Sequence, residues 1–166
     1  MTLHYFAYGS NMHPGRLQAR ISSAVPLSVA RLPDHRLAFH KRGADGSGKG
    51  NIVAAANTEV WGVIYTISVA HAVALDDIEG PGYSRVDLEV VEITNGESVS
   101  AVSYRARTGS IADDLYPFDW YLDFLLHGAA HHGLPGRYLE QLRRVTTITD
   151  KDSERARLAA DLLVPR

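Results

Sequence analysis

The sequence predicts an α+β fold whose mostly antiparallel, curved or barrel-like sheet comes first and whose helices gather later. Three observations carry that reading. Short apolar or alternating segments, the pattern of strands, dominate the chain up to Arg105. A helical apolar period appears mainly beyond Pro117. Asn95-Gly96 joins two strand patterns as a hairpin signal, because both residues tolerate positive φ. Strands followed by helices, without regular alternation, is the order of an α+β protein.

Taken in order, Leu3 to Tyr8 is an apolar strand ending on Gly9-Ser10-Asn11, three turn-favouring residues. Ala24 to Leu32 and Arg36 to His40 read as two further strands. The stretch from Arg42 to Asn51, rich in glycine, is expected to be a long surface loop and not a linker. Ile52–Ala56, Val60–Ile67, Ser84–Ile93 and Ser98–Arg105 complete the strands. Ser68 suits a helix N-cap, because its hydroxyl can accept from an early N–H. That helix runs to Ile78 with Val69, Ala72, Val73 and Leu75 inward, and Gly80 stops it in the left-handed conformation. Pro117, at a first-turn position, opens a helix through Trp120, Tyr121, Phe124, Leu125 and Leu126, ended by Gly133 and Pro135. Tyr138, Leu139, Leu142 and Val145 mark another helix, and a last one runs near Asp152 to Leu163. A single domain over residues 1–166 accommodates these elements, since the length fits one core.

Composition closes off several function classes. The chain has no cysteine, which excludes disulfides, thiolate metal sites and a cysteine nucleophile. With 45% hydrophobic and 22% charged residues it is globular and not disordered. The longest apolar run, around Ile52 to Ala56, is far short of a membrane span. The N-terminus lacks the basic, apolar and small-residue order of a secretory signal, so a cytoplasmic location without a membrane partner is expected. The net charge of −2 is unevenly spread. Residues 1–50 hold seven Lys/Arg against two Asp/Glu, a balance of +5, so the other 116 carry −7. Arg16, Arg20, Arg31, Arg36, Lys41, Arg42 and Lys49 are scattered and have no interleaved aromatics. That pattern suits a pocket attracting a small anion better than a nucleic-acid footprint.

Three motif-like segments fail on chemistry. Gly43 to Gly50 approaches a phosphate-binding loop, but Gly50 stands where a magnesium-holding Ser or Thr is required, and no helical period follows. His127 and His131 share a helix face, yet His-Gly-Ala-Ala-His lacks the glutamate of a zinc-protease motif, so no metal site is assigned. Ser10, with His4 nearby in sequence, lies outside a G-x-S-x-G elbow and reads better as part of a binding loop.

Two segments remain. Tyr5-Phe-Ala-Tyr-Gly-Ser-Asn-Met12 ends a buried strand in a turn with free backbone N–H groups, a common form of anion or oxyanion site. In Leu75-Asp-Asp-Ile-Glu79-Gly80-Pro-Gly-Tyr83, Glu79 sits between a helix stop and a Pro-Gly turn and can project into a cleft.

With these segments the chain resembles the γ-glutamylcyclotransferase (AIG2-like) family nearly end to end. The resemblance runs through Tyr5-Phe-Ala-Tyr-Gly-Ser-Asn, Val29-Ala-Arg-Leu-Pro-Asp, Glu59-Val-Trp-Gly-Val, Leu75-Asp-Asp-Ile-Glu-Gly, Gly128-Ala-Ala-His-His-Gly-Leu-Pro and Tyr138-Leu-Glu-Gln-Leu. It implies a small mixed, mostly antiparallel barrel flanked by helices, and a cofactor-independent enzyme acting on a small γ-glutamyl substrate. Glu79 matches the catalytic acid/base. Tyr8, Gly9, Ser10 and Asn11 match the substrate-binding loop, and Tyr83 and Tyr121 match tyrosines lining the pocket. The implied reaction is attack of the substrate's α-amine on its own γ-carbonyl, giving 5-oxoproline and a free amine. One departure is that only Pro81-Gly82 separates Glu79-Gly80 from Tyr83, shorter than in the longer vertebrate-type members. The other is a locally distinctive Gly43–Asn51 segment, and both lie where the leaving group should be recognised. The rival readings are an amide hydrolase using Ser10 and a non-catalytic module binding γ-glutamyl-like ligands. The expected assembly is a monomer or weak homodimer, with Trp120 as an exposed aromatic available to such a contact.

Overall fold

In the computed structural model, which describes residues 1–164, five strands close into a barrel in the order β1-β3-β2-β4-β5. The last two residues of the expected 1–166 span lie outside the described ones. The strands are β1 (Thr2–Ala7), β2 (Val25–Arg42), β3 (Gly48–Ser68), β4 (Tyr83–Glu92) and β5 (Ser98–Ala106). All pair antiparallel except β1 and β5, which meet in parallel at Tyr5 and Val102 and seal the barrel. The helices are α1 (Pro14–Arg20), α2 (Val69–Glu79), α3 (Asp119–His131), α4 (Gly136–Arg143) and α5 (Ser153–Leu163). None of them is long and apolar enough to cross a membrane.

Strand alternation divides the apolar residues into two cores. Phe6, Ala30, Leu32, Ile64, Leu88 and Val90 of the strands, with Tyr8 just beyond the end of β1, fill the barrel. Tyr5, Ala7, Trp61, Val63, Tyr65 and Ile67 face outward, where Leu17, Leu75, Phe124, Leu125 and Leu142 of the helices cover them. At β1 the two cores are one residue apart, which explains why Leu3 to Tyr8 reads as uninterrupted apolar sequence. Gly62 is forced by this crowding, since a Cβ there would stand 2.8 Å from the Phe6 ring and 2.4 Å from the Ala7 carbonyl oxygen.

Several expectations change. The two strands expected over Ala24–Leu32 and Arg36–His40 are one 18-residue strand, and those at Ile52–Ala56 and Val60–Ile67 are one of 21 residues. Asp34 (φ 53°) and Asn57 (φ 61°) bend this long hairpin without breaking it, and the Asn57 N–H donates to Asp34 Oδ1 at 3.0 Å. The glycine-rich stretch is a tight turn and not a long loop: Gly46 takes φ 81°, and Ser47, Gly48, Gly50 and Asn51 are buried. Asp45 closes that turn by accepting from the Ser47 N–H and hydroxyl and from Lys49 Nζ. α1 goes unread in the sequence because it buries only Leu17; Pro14 opens it and His13 Nδ1 caps it, accepting from the Arg16 N–H. α2 begins and ends as expected, with Ser68 capping and Gly80 at φ 74°, but Val69 and Val73 are exposed and only Ala72 and Leu75 point inward. Between β4 and β5 Gly96 alone takes positive φ, in a turn longer than two residues. α3 starts at Asp119, because Pro117 offers its carbonyl to the Ile148 N–H, and α4 ends before Val145. Trp120 is buried, not exposed, with Nε1 donating to Asp150 Oδ2 at 2.9 Å, so it offers no surface for a dimer contact.

Candidate active site

The end of β1 and the C-terminus of α2 converge at one mouth of the barrel. β1 delivers Tyr8 and Gly9 into a 3₁₀ turn over Ser10–Met12, and α2 delivers Glu79 as its last residue. A small cleft between them is lined by Tyr8, Gly9, Ser10, Asn11, Glu79, Tyr83 and Tyr121, the seven residues singled out in the sequence. Tyr5, Gly50 and Tyr104 complete the lining, and Arg16 and Arg20 of α1 stand behind it.

Glu79 is largely buried, its side chain 16% exposed, and its two oxygens are unlike each other. Oε1 accepts from Asn11 Nδ2 at 3.0 Å and from Arg20 Nη1 at 3.0 Å. The same amide donates to the Tyr5 hydroxyl at 2.9 Å, and its Oδ1 accepts from Arg20 Nη1 at 3.1 Å. Among the described residues, Oε2 has no hydrogen-bond partner. A carboxylate oriented through one oxygen, with the other free, has the form of a positioned proton acceptor.

The tyrosines meet at one residue, Gly50. The Gly50 N–H donates to the Tyr121 hydroxyl at 3.0 Å, and the Gly50 carbonyl accepts from Tyr83 at 2.6 Å and from Tyr8 at 3.5 Å. Tyr8 donates more closely to the Tyr104 carbonyl, at 2.6 Å. Burial pushes the phenols of Tyr5, Tyr8, Tyr83 and Tyr121 above their ordinary range, so all four are neutral walls and not bases. Gly50 escaped the sequence reading because its glycine-rich surroundings imitate a flexible loop.

Across from the carboxylate, the Met12 and His13 N–H groups close the turn on the Gly9 and Ser10 carbonyls. The N–H groups of Gly9, Ser10 and Asn11 have no hydrogen-bond acceptor among the described residues. Ser10 Oγ accepts from Arg16 Nε at 3.0 Å, and no histidine bonds it among those residues. Arg16 is itself partly buried, which lowers its pKa to about 10, and it lies over the Phe124 ring at 4.5 Å. The histidine cluster takes a packing role: His132 Nε2 sits 2.9 Å from the Tyr65 hydroxyl and 3.2 Å from the Met12 carbonyl.

The AIG2-like family model matches residues 59–142 of the chain. The γ-glutamylcyclotransferases of Bos taurus and Homo sapiens are each 32% identical to it over 148 residues, covering 85% of this chain and 77% of theirs. A solved γ-glutamyl cyclotransferase superposes with a TM-score of 0.86 at 27% identity, over 97% of this chain and 99% of that one. A crystal structure of a human protein described as uncharacterized gives 0.87 at 29% identity, over 98% of both chains.

Proposed function

The chain belongs to the γ-glutamylcyclotransferase family of enzymes, and from that premise we propose that Glu79 moves the proton in an intramolecular aminolysis. The observation that carries this reading is the division of Glu79, with Oε1 fixed by Asn11 and Arg20 and Oε2 free beside a turn of three unclaimed N–H groups. The substrate is a γ-glutamyl amino acid or amine. Its α-amine is its own nucleophile, and folding it onto the γ-carbonyl carbon removes several kcal/mol, in order of magnitude, of the entropic barrier.

The amine is protonated near neutral pH and cannot attack until Glu79 Oε2 removes a proton. The new bond joins the α-nitrogen to the γ-carbon, and negative charge passes to the γ-oxygen. The N–H groups of Gly9, Ser10 and Asn11 are the donors available to receive that charge. The intermediate then collapses, breaking the original γ-amide bond while Glu79 returns the first proton to the departing nitrogen. The ring nitrogen gives up its second proton to the restored Glu79 carboxylate, which passes it to the freed amine, so that the amine leaves as its ammonium ion. The products are 5-oxoproline and a free amine. Atoms and protons balance without water or a cofactor.

Glu79→Gln keeps the hydrogen-bonding shape and removes the base. The expected result is a fall in 5-oxoproline formation of about a hundred- to ten-thousand-fold with an unchanged melting transition. Retained turnover sinks the assignment. The hydrolase reading requires a base at Ser10, but its hydroxyl accepts from the Arg16 guanidinium, which cannot take its proton, and no histidine bonds it among the described residues. Turnover in ¹⁸O-water separates the two: a hydrolase labels free glutamate, whereas cyclisation yields unlabelled 5-oxoproline. Any turnover across a γ-glutamyl panel excludes the non-catalytic module.

A further inference from the structure

Of the basic side chains that reach residues lining the cleft, most are already engaged. Arg20 pairs with Glu79. Arg16 donates to Ser10, and Lys49 donates to Asp45 Oδ2 at 2.7 Å. Lys41 differs. It is partly buried, and among the described residues it has neither a carboxylate nor a hydrogen-bond partner. Its Nζ lies 4.7 Å from the centroid of the Tyr83 ring, the same ring whose hydroxyl is in the cleft. Its stem crosses Gly82, where a Cβ would stand 2.7 Å from Lys41 Cε and 3.0 Å from Nζ. The short Pro81-Gly82 connection after Glu79-Gly80 and the bare α-carbon of Gly82 together let this side chain lie against Tyr83, which lines the cleft. The fields of Glu79 and Asp45 both reach it there, without contact.

A partly desolvated ammonium with no acid in ion-pair or hydrogen-bond contact bears a cost that an external anion can relieve. Burial accordingly lowers the Lys41 pKa from its ordinary value, which makes an incoming carboxylate the more favourable partner. In a γ-glutamyl amino acid the leaving residue carries such a group, with only its α-carbon between the carboxylate and the scissile nitrogen. A γ-glutamyl amine carries none.

On the Glu79 reading above, we propose that Lys41 receives the α-carboxylate of the leaving amino acid and thereby selects γ-glutamyl amino acids over uncharged γ-glutamyl amines. Tyr83 holds the ammonium against its face and Gly82 leaves the space for it. The bond is a charge-assisted one, made by a group that takes no part in moving the proton.

The test compares γ-glutamyl-L-alanine with γ-glutamyl-L-alaninamide, which differ only in that carboxylate, in the wild-type protein and in Lys41→Met and Lys41→Arg. The measured quantity is the ratio of kcat/KM for the acid over the amide. Taking this ratio between proteins cancels the different basicities of the two leaving amines. Lys41→Met is expected to lower the ratio about tenfold or more, through a higher KM for the acid, with the amide little changed. Lys41→Arg is expected to keep most of the discrimination. Gly82→Ala, which displaces the lysine without removing its charge, is expected to lower the ratio by a smaller factor. A ratio unchanged in Lys41→Met, or an equal loss on both substrates, overturns the role of Lys41 while leaving Glu79 standing. Turnover of neither substrate by the wild-type protein overturns the reading of the site and this inference with it.

Discussion

Asn11 donates through Nδ2 to Glu79 Oε1 at 3.0 Å and so helps to fix the carboxylate. Its place in Tyr8-Gly9-Ser10-Asn11 marks it as a binding-loop residue, but in the fold its side chain is fully occupied with Glu79, Tyr5 and Arg20. Asn11→Ala removes one of the two donors on Oε1 and frees the carboxylate to rotate. The expected outcome is a drop in kcat of about tenfold to a hundredfold with a smaller change in KM, measured by steady-state kinetics on γ-glutamyl-alanine. Asn11→Asp should be worse, since it sets a second negative charge against Oε1. A larger effect on KM than on kcat would return Asn11 to substrate binding. That Glu79 and the tyrosines belong near one another was legible because their segments carry family-specific spacing, and they do line one cleft. Arg20 and Gly50 were not. Arg20 lies on a helix with a single buried residue, and Gly50 owes its place to a long hairpin that folds a glycine-rich stretch inward.

The elements matter through how closely they approach the turn that carries the site. α3 crosses the 3₁₀ turn at Gly128, where a Cβ would stand 2.6 Å from the Met12 carbonyl carbon and 2.7 Å from the His13 nitrogen. Both are backbone atoms, so no side chain can swing away. Gly128→Ala must therefore separate helix and turn, and overpacking of this kind costs about 1–3 kcal/mol. We expect a lower melting temperature together with a fall in kcat/KM, because the displaced segment is the one that offers the free N–H groups. An unchanged melting temperature shows that the helix can shift without loss. The contact also gives a physical sense to Gly128-Ala129-Ala130, a run of small residues inside the helix. The elements read correctly were those with local punctuation, such as Ser68 and Gly80 around α2. Those misread were the long strands, whose bends at Asp34 and Asn57 look locally like ends and are bridged only by pairing across the hairpin.

At the scale of the molecule, the barrel is closed by its own strands, whereas the helical layer depends in part on one charged clasp. Asp150, buried just before α5, accepts from Arg155 through both oxygens, at 2.7 and 2.6 Å, and from Trp120 Nε1 and the Asp152 N–H. It thereby ties α5 to α3, whose Tyr121 forms a wall of the cleft. The bonds from Arg155 chiefly hold the Asp150 carboxyl well below the usual carboxylate range, against an opposing push from burial. A carboxyl with a depressed folded-state pKa binds fewer protons when native than when unfolded, so stability rises with pH across the interval between the two values. The contribution is complete above the ordinary aspartate value of 3.8 and is lost as the pH falls from there toward the native pKa. Asp150→Asn keeps an acceptor for Trp120 but gives up the charge, and should melt lower than wild type at neutral pH. The gap between the two proteins should then narrow in acid, as protonation brings the wild type to the variant's condition. Melting curves taken from pH 7 down to about pH 2 measure this, and a gap that stays constant with pH shows that shape, not ionisation, holds α5 in place.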